Sequence, residues 1–268
     1  MTTELLDAIR RSKVYDLAQP YFVGMPHFPT HPPFLFGLTK KHGDYVAETG
    51  MSSAADSIAL GSHVGTHVDA LCHFSCDGKL HGGVDVASVQ SDGGGIRELS
   101  VDTIAPILRR AVLLDIAGHL RMDTLPTDFG ITPAHLESAA SEQSVSIQKG
   151  DVVLLRTGWA RFWNDAARYI TGGKGTQAAG PGPEIDGARW LSNQGVFAVG
   201  SDTVAFEKVP TPTMPVHVHL LVESGIHIIE ALNLEELSRD RIYEFVLVAT
   251  PLKIRGGTGS PIRPLALA

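Results

Sequence analysis

Ala111-Val112-Leu113-Leu114-Asp115-Ile116 and Asp151-Val152-Val153-Leu154-Leu155-Arg156-Thr157 decide the fold class. Each is a short apolar run bounded by turn signals, the pattern of a strand buried in a core. Residues 196–200 (VFAVG) and 243–250 (YEFVLVAT) repeat it. Helical stretches fall between them, at residues 187–193, at 234–239, and at 133–140, where Thr132 can cap and Pro133 opens the first turn. Strands alternating with short helices specify an α/β domain. Outward from this frame, Val14-Tyr15-Asp16-Leu17 reads as a strand, and residues 57–60 alternate polar and apolar. No repeat or low-complexity linker interrupts residues 1–268, so a single domain is expected. The glycine-rich stretch 170–187 is expected to be a mobile loop. Neither its GGKGT nor Gly93-Gly94-Gly95 has the spacing of a nucleotide-binding loop.

Composition narrows the function. Twenty-two basic against 29 acidic residues leave a formal charge of −7, which disfavours nucleic acid as a partner. No apolar run approaches a membrane span. Residues 1–13, with Glu4 and the pair Arg10-Arg11, read as a short surface helix and not a secretion signal, so a cytoplasmic location is expected. The two cysteines, Cys72 and Cys76, are expected to be reduced thiols.

Twelve histidines stand out, and four lie between His63 and His81. In His63-Val64-Gly65-Thr66-His67-Val68-Asp69-Ala70, two imidazoles and a carboxylate offer the usual ligands of a catalytic Zn²⁺, Mn²⁺ or Fe²⁺. On an extended strand His63 and His67 would stand roughly 13 Å apart. A turn through Gly65, which tolerates backbone angles closed to other residues, brings them within reach of one ion. Burying so many polar groups among Val64, Val68, Ala70 and Phe74 is costly without a shared partner. His73 is either a further ligand or a free acid or base beside the metal. His217 and His219 alternate, so on a strand they would share one face. Glu230 closes the apolar run from His227 and is a candidate ligand and catalytic group. The segment Gly24 to Pro33, with Pro26, Pro29, Pro32 and Pro33, cannot be helix or central strand, and its aromatic Phe28 suits a pocket wall.

The pattern from His63 to Ala70, with His73-Phe74, resembles the signature of the cyclase-like metal hydrolases, which include bacterial kynurenine formamidase (arylformamidase) and isatin hydrolase. Asp16-Leu17, Met25-Pro26, Val199-Gly200-Ser201-Asp202-Thr203 and Gly259-Ser260-Pro261 support the resemblance. It implies a swivelling β/β/α fold around a central mixed sheet, and a homodimer or homotetramer. It also implies a divalent metal, Mn or Zn, as one ion or two. His63, His67 and Asp69 would hold the first ion, with His73 as acid/base. A second ion would add Glu230 and an upstream histidine, for which the family's column falls on Val218, between His217 and His219. Phe28 would contact substrate where formamidases carry Trp, and Leu71 stands where the family often has Pro. The expected reaction is hydrolysis of an amide bond in a small cyclic or aryl amide. Two other classes share the residues. A non-haem iron oxygenase would use His67, Asp69 and a distant histidine, and a non-catalytic protein would bind metal or ligand only.

Overall fold

The computed structural model describes residues 2–268. Nine strands form one mixed sheet: β1 (Val14–Asp16), β2 (His67–Asp69), β3 (Ile107–Asp115), β4 (Val152–Arg156), β5 (Ala198–Ser201), β6 (His227–Glu230), β7 (Glu244–Ala249), β8 (Gly259–Pro261) and β9 (Leu265–Leu267). Their order is β1-β9-β7-β3-β4-β5-β6-β2-β8. The four central strands β3, β4, β5 and β6 run parallel, and every other pairing is antiparallel. Both ends of the chain enter this sheet, and the four apolar runs of the sequence are β3, β4, β5 and β7.

Central parallel strands are covered on both faces, which is why they carry no polar alternation. Successive side chains still divide between the faces. Leu113, Leu154, Ala198 and Ile229 enter one core, while Leu114, Leu155, Val199 and Ile228 enter the other. The helices Pro133–Glu142 and Ile185–Asn193 cover the second core through Leu136, Ala139, Ala188 and Leu191. Thr132 starts the first of them in a capping box closed by His135. The helix Glu235–Asp240 sends Leu237 into the first core. The amino-terminal helix spans Thr2–Arg11.

Two local expectations change. Part of the glycine-rich stretch is helical, because Ile170-Thr171 end the helix Ala166–Thr171 and Ile185-Asp186-Gly187 begin the next. Residues 217–219 are not extended: Pro215–His217 is α-helical and continues into a π-helical segment, Val218–Ser224. At about 100° per residue, positions two apart on a helix face nearly opposite ways. His217 and His219 therefore diverge.

At the carboxyl ends of β3 and β4, buried Arg156 donates to Asp115 at 2.9 Å and to Glu235 at 2.7 Å. This joins the sheet to the helix Glu235–Asp240. Removing one member strands a buried charge, which costs about 3–5 kcal/mol. Arg156→Ala should lower unfolding free energy by that order in urea titration, and a loss below ~1 kcal/mol would show the pair to be incidental.

Candidate metal centre and its cavity

β2 lies between β6 and β8, with His67 opposite Glu230 and Asp69 opposite Ile228. His67 and Asp69 are two apart on one strand, so they share a face, and the register places Glu230 beside them. His67 Nε2 is 3.4 Å from Asp69 Oδ1 and 3.4 Å from Glu230 Oε2. The turn before β2 adds His63, whose Nδ1 is 2.7 Å from Asp69 Oδ1. Gly65 makes that turn with φ +72°, and a Cβ there would fall 1.6 Å from the Tyr21 ring. The Tyr21 hydroxyl in turn contacts the carbonyls of Val64 and Thr66. Gly65 is thus required both for its backbone angle and for the ring seated on it.

His217 completes the group from its helix, with Nε2 3.1 Å from Glu230 Oε1. Two overlapping trios result: His63, His67 and Asp69, and Asp69, His217 and Glu230. Within each trio the ligand atoms lie within 4.8 Å of one another. Asp69 belongs to both. His219 is turned away, to Ser192 at 2.9 Å and Glu223 at 2.7 Å, and does not join either trio.

Electrostatics fit a cation. Asp69 Oδ2 is buried without a hydrogen-bond partner among the described residues, a costly state for a carboxylate that a cation would relieve. Burial would lower the pKa of His67, but its hydrogen bonds to Asp69 and Glu230 win and raise it to about 10. At His217, bonds to Glu207 and Glu230 likewise overcome burial and raise it to about 10. Glu230 moves oppositely: burial pushes it up, and His217 and His67 pull it down to about 2. Asp69 also lies well below the usual carboxylate range, burial being outweighed by His73 and His63. Without a cation, the cluster gathers protons in its place.

The remaining groups orient these candidate ligands. His67 Nδ1 is 2.8 Å from the Gly65 carbonyl, and His217 Nδ1 is 2.7 Å from Glu207 Oε1. Such contacts fix a ring's tautomer and angle. His63 Nε2 lies 2.8 Å from Thr258 Oγ1. The sequence reading missed Glu207 and Thr258, because no motif marks a lone acid or hydroxyl far along the chain. His73 stacks on His63 with ring centroids 3.8 Å apart. Burial lowers its pKa to about 3, so its imidazole is neutral at ordinary pH. His31, unassigned in the sequence, lies 6.3 Å from His73, ring to ring.

His73, His217 and Glu230 open onto a cavity of about 200 Å³ walled by Phe28, Phe74 and Met214. Phe28 therefore does stand at the pocket. Cys72 is buried and Cys76 exposed, both as free thiols.

Residues 15–208 match the family model described as "Putative cyclase". The chain belongs to this cyclase family. It is 29% identical over 214 residues to isatin hydrolase of Roseibium aggregatum, covering 78% of this chain and 73% of that protein. Kynurenine formamidase of Bacillus cereus is 25% identical over 255 residues, covering 95% and 97%. Among solved structures, one titled a novel cyclase superposes with TM-score 0.87 at 31% identity, over 99% of this chain and 90% of the other. Isatin hydrolase A from Ralstonia solanacearum gives TM-score 0.78 at 26% identity, over 100% and 97%.

The raised histidines make metal uptake compete with protons. Apparent affinity for Mn²⁺ or Zn²⁺ should rise between about pH 6 and pH 8. Calorimetry in buffers of different ionisation enthalpy should register proton release, and pH-independent uptake without release would contradict this account.

Proposed function

We propose that this protein is a metal-dependent amidohydrolase that cleaves the C–N bond of a small cyclic or aryl amide, as the names of its isatin hydrolase and kynurenine formamidase relatives suggest. The observation that carries the reading is the register of β2 against β6, which sets His67, Asp69 and Glu230 on one face beside a cavity that His73 also enters. His63, His67 and Asp69 would hold one divalent ion, and Asp69, His217 and Glu230 a second, with Asp69 shared. His219 is no longer a candidate ligand, given where its ring points. Mn²⁺ and Zn²⁺ both suit this donor set. When bound, such a cation supplies Lewis acidity, lowering the pKa of water and polarising the amide carbonyl.

The chain's residues do the rest. His73 lines the cavity beside the cluster, so it is placed to act first as a base, taking a proton from the attacking water as oxygen bonds to the carbonyl carbon. The imidazolium then passes that proton to the nitrogen as the C–N bond breaks, which a bare amide anion could not accomplish as a leaving group. Neighbouring Asp69 stabilises the transient positive charge on His73. Phe28, Phe74 and Met214 hold the apolar part of the substrate and keep bulk water out.

His73→Ala should lower kcat by about 10²–10⁴-fold while the metal-to-protein ratio stays that of the wild type. Normal turnover by that variant with metal bound would sink the assigned role. An oxygen requirement for turnover would favour the oxygenase reading instead.

We also propose that the chain works as a homo-oligomer. The support is a two-stranded hairpin, Leu35–Lys40 with Ala55–Ala59, exposed on both faces. Phe36, Leu38 and Ile58 share one of those faces, and such a hairpin is marginal alone in water. A second copy of the chain is the expected cover. Light scattering should give a multiple of the 28.6 kDa chain mass that Phe36→Asp with Ile58→Lys reduces to the monomer. A monomeric wild type would exclude the arrangement.

A further inference from the structure

Beyond the 200 Å³ cavity at the metal centre lies a second, larger one of about 540 Å³. Phe28 and Met214 line both, so the two meet across these side chains. The outer cavity's remaining walls come from Pro29 and from two segments, Thr176 to Ala178 and Val209 to Pro212. Its surface is mostly carbon, with Thr176, Gln177 and Thr211 as neutral polar groups. No Arg, Lys, Asp or Glu lines it. In the inner cavity the only titratable groups are His31, His73, His217 and Glu230, all at or beside the metal centre.

We infer that the outer cavity is a substrate subsite for a neutral, apolar extension carried by the amide, such as a second ring or a branched hydrocarbon group, and that it selects against a charged α-amino acid substituent there. The inference rests on the amidohydrolase reading for the identity of the reacting group, and on the cavity alone for the tail. A small amide confined to the inner space leaves the outer one to water. Each ring buried in it removes apolar surface from water, so a tail of that kind gains affinity. A zwitterionic tail would meet no counter-ion and would lose hydration without recompense.

The dividing side chain is built for adaptable contact. Met214 sits at φ +45°, a left-handed conformation that costs a residue with a Cβ and persists only where surrounding structure enforces it. Pro215 follows it at the start of the His217 helix, so the backbone that aims Met214 into the neck also places a candidate ligand. Its unbranched thioether can shift among rotamers to admit tails of different shape. Phe28 faces it with a rigid ring.

The test uses the full-length, metal-loaded protein and three formanilides, bearing hydrogen, a neutral benzyl group or a zwitterionic α-amino acid group at the same ring position. Hydrolysis and equilibrium binding are both measured. The benzyl compound should exceed the parent in kcat/KM and in affinity by about 10–100-fold, with the zwitterion at or below the parent. Thr211→Trp and, from the other lining segment, Gln177→Trp should narrow the benzyl-to-parent ratio towards one. If the zwitterion matches or exceeds the benzyl compound, or if both tryptophan variants leave the ratio intact, the subsite is wrong even though the hydrolase reading stands. If none of the three is hydrolysed but benzyl binding stays preferred and sensitive to both variants, the subsite stands and the reaction has been misassigned.

Discussion

The antiparallel register between β2 and β6 is the constraint on which the site depends. It sets His67 against Glu230 with no intervening residue, and alternation along β2 brings Asp69 to the same face. Three candidate ligands are fixed by backbone hydrogen bonds rather than by loops. A slip of one residue would turn His67 and Asp69 to the opposite face together. The apolar residues between and beside them, Val68, Ile228 and Ile229, are buried on the sheet's two faces and make such a slip expensive. The hydrophobic pattern that anchors the sheet therefore also holds the polar cluster in place.

The polar cluster repays little of this in stability. Its carboxylates and imidazoles satisfy one another only partly, and Asp69 keeps one oxygen unpartnered. Buried charge arranged this way is a cost borne by the rest of the sheet, where the parallel strands supply two apolar cores. The acid–base chemistry follows from the same arrangement. His67 and His217 are drawn towards the charged form by carboxylates, while His73, stacked on His63, is pushed towards the neutral one by burial. Imidazoles within one cluster are thereby held in different protonation states by their surroundings.

Much of this was legible in the sequence because it depends on short-range pattern. β3, β4, β5 and β7 each contain a short apolar run, and His63 to Asp69 crowds its candidate ligands around the one glycine that can turn between them. What depended on tertiary context was less visible. His217-Val218-His219 alternates like a strand, yet Pro215 opens a helix there and Gly225 ends it, so the two imidazoles part company. Glu207 carries no local signal at all, since its role comes from a loop folding back on His217. The outer cavity was equally silent, because residues 176–178 and 209–212 meet only in the folded chain.

The exposed hairpin has a peculiar point of attachment. It leaves the chain just after His31, which borders the inner cavity, and returns just before His63, a candidate ligand. Pro32 and Gly61 are close enough at its base that a Cβ on Gly61 would meet the proline ring at 3.0 Å. The chain therefore departs and rejoins at nearly one place, and the residues between form an appendage whose length does not set the distance between cavity wall and candidate ligand. Insertions or deletions in it can be accommodated at no geometric expense to the polar cluster. The appendage and the sheet that carries the polar cluster are in this sense separately revisable parts of one chain.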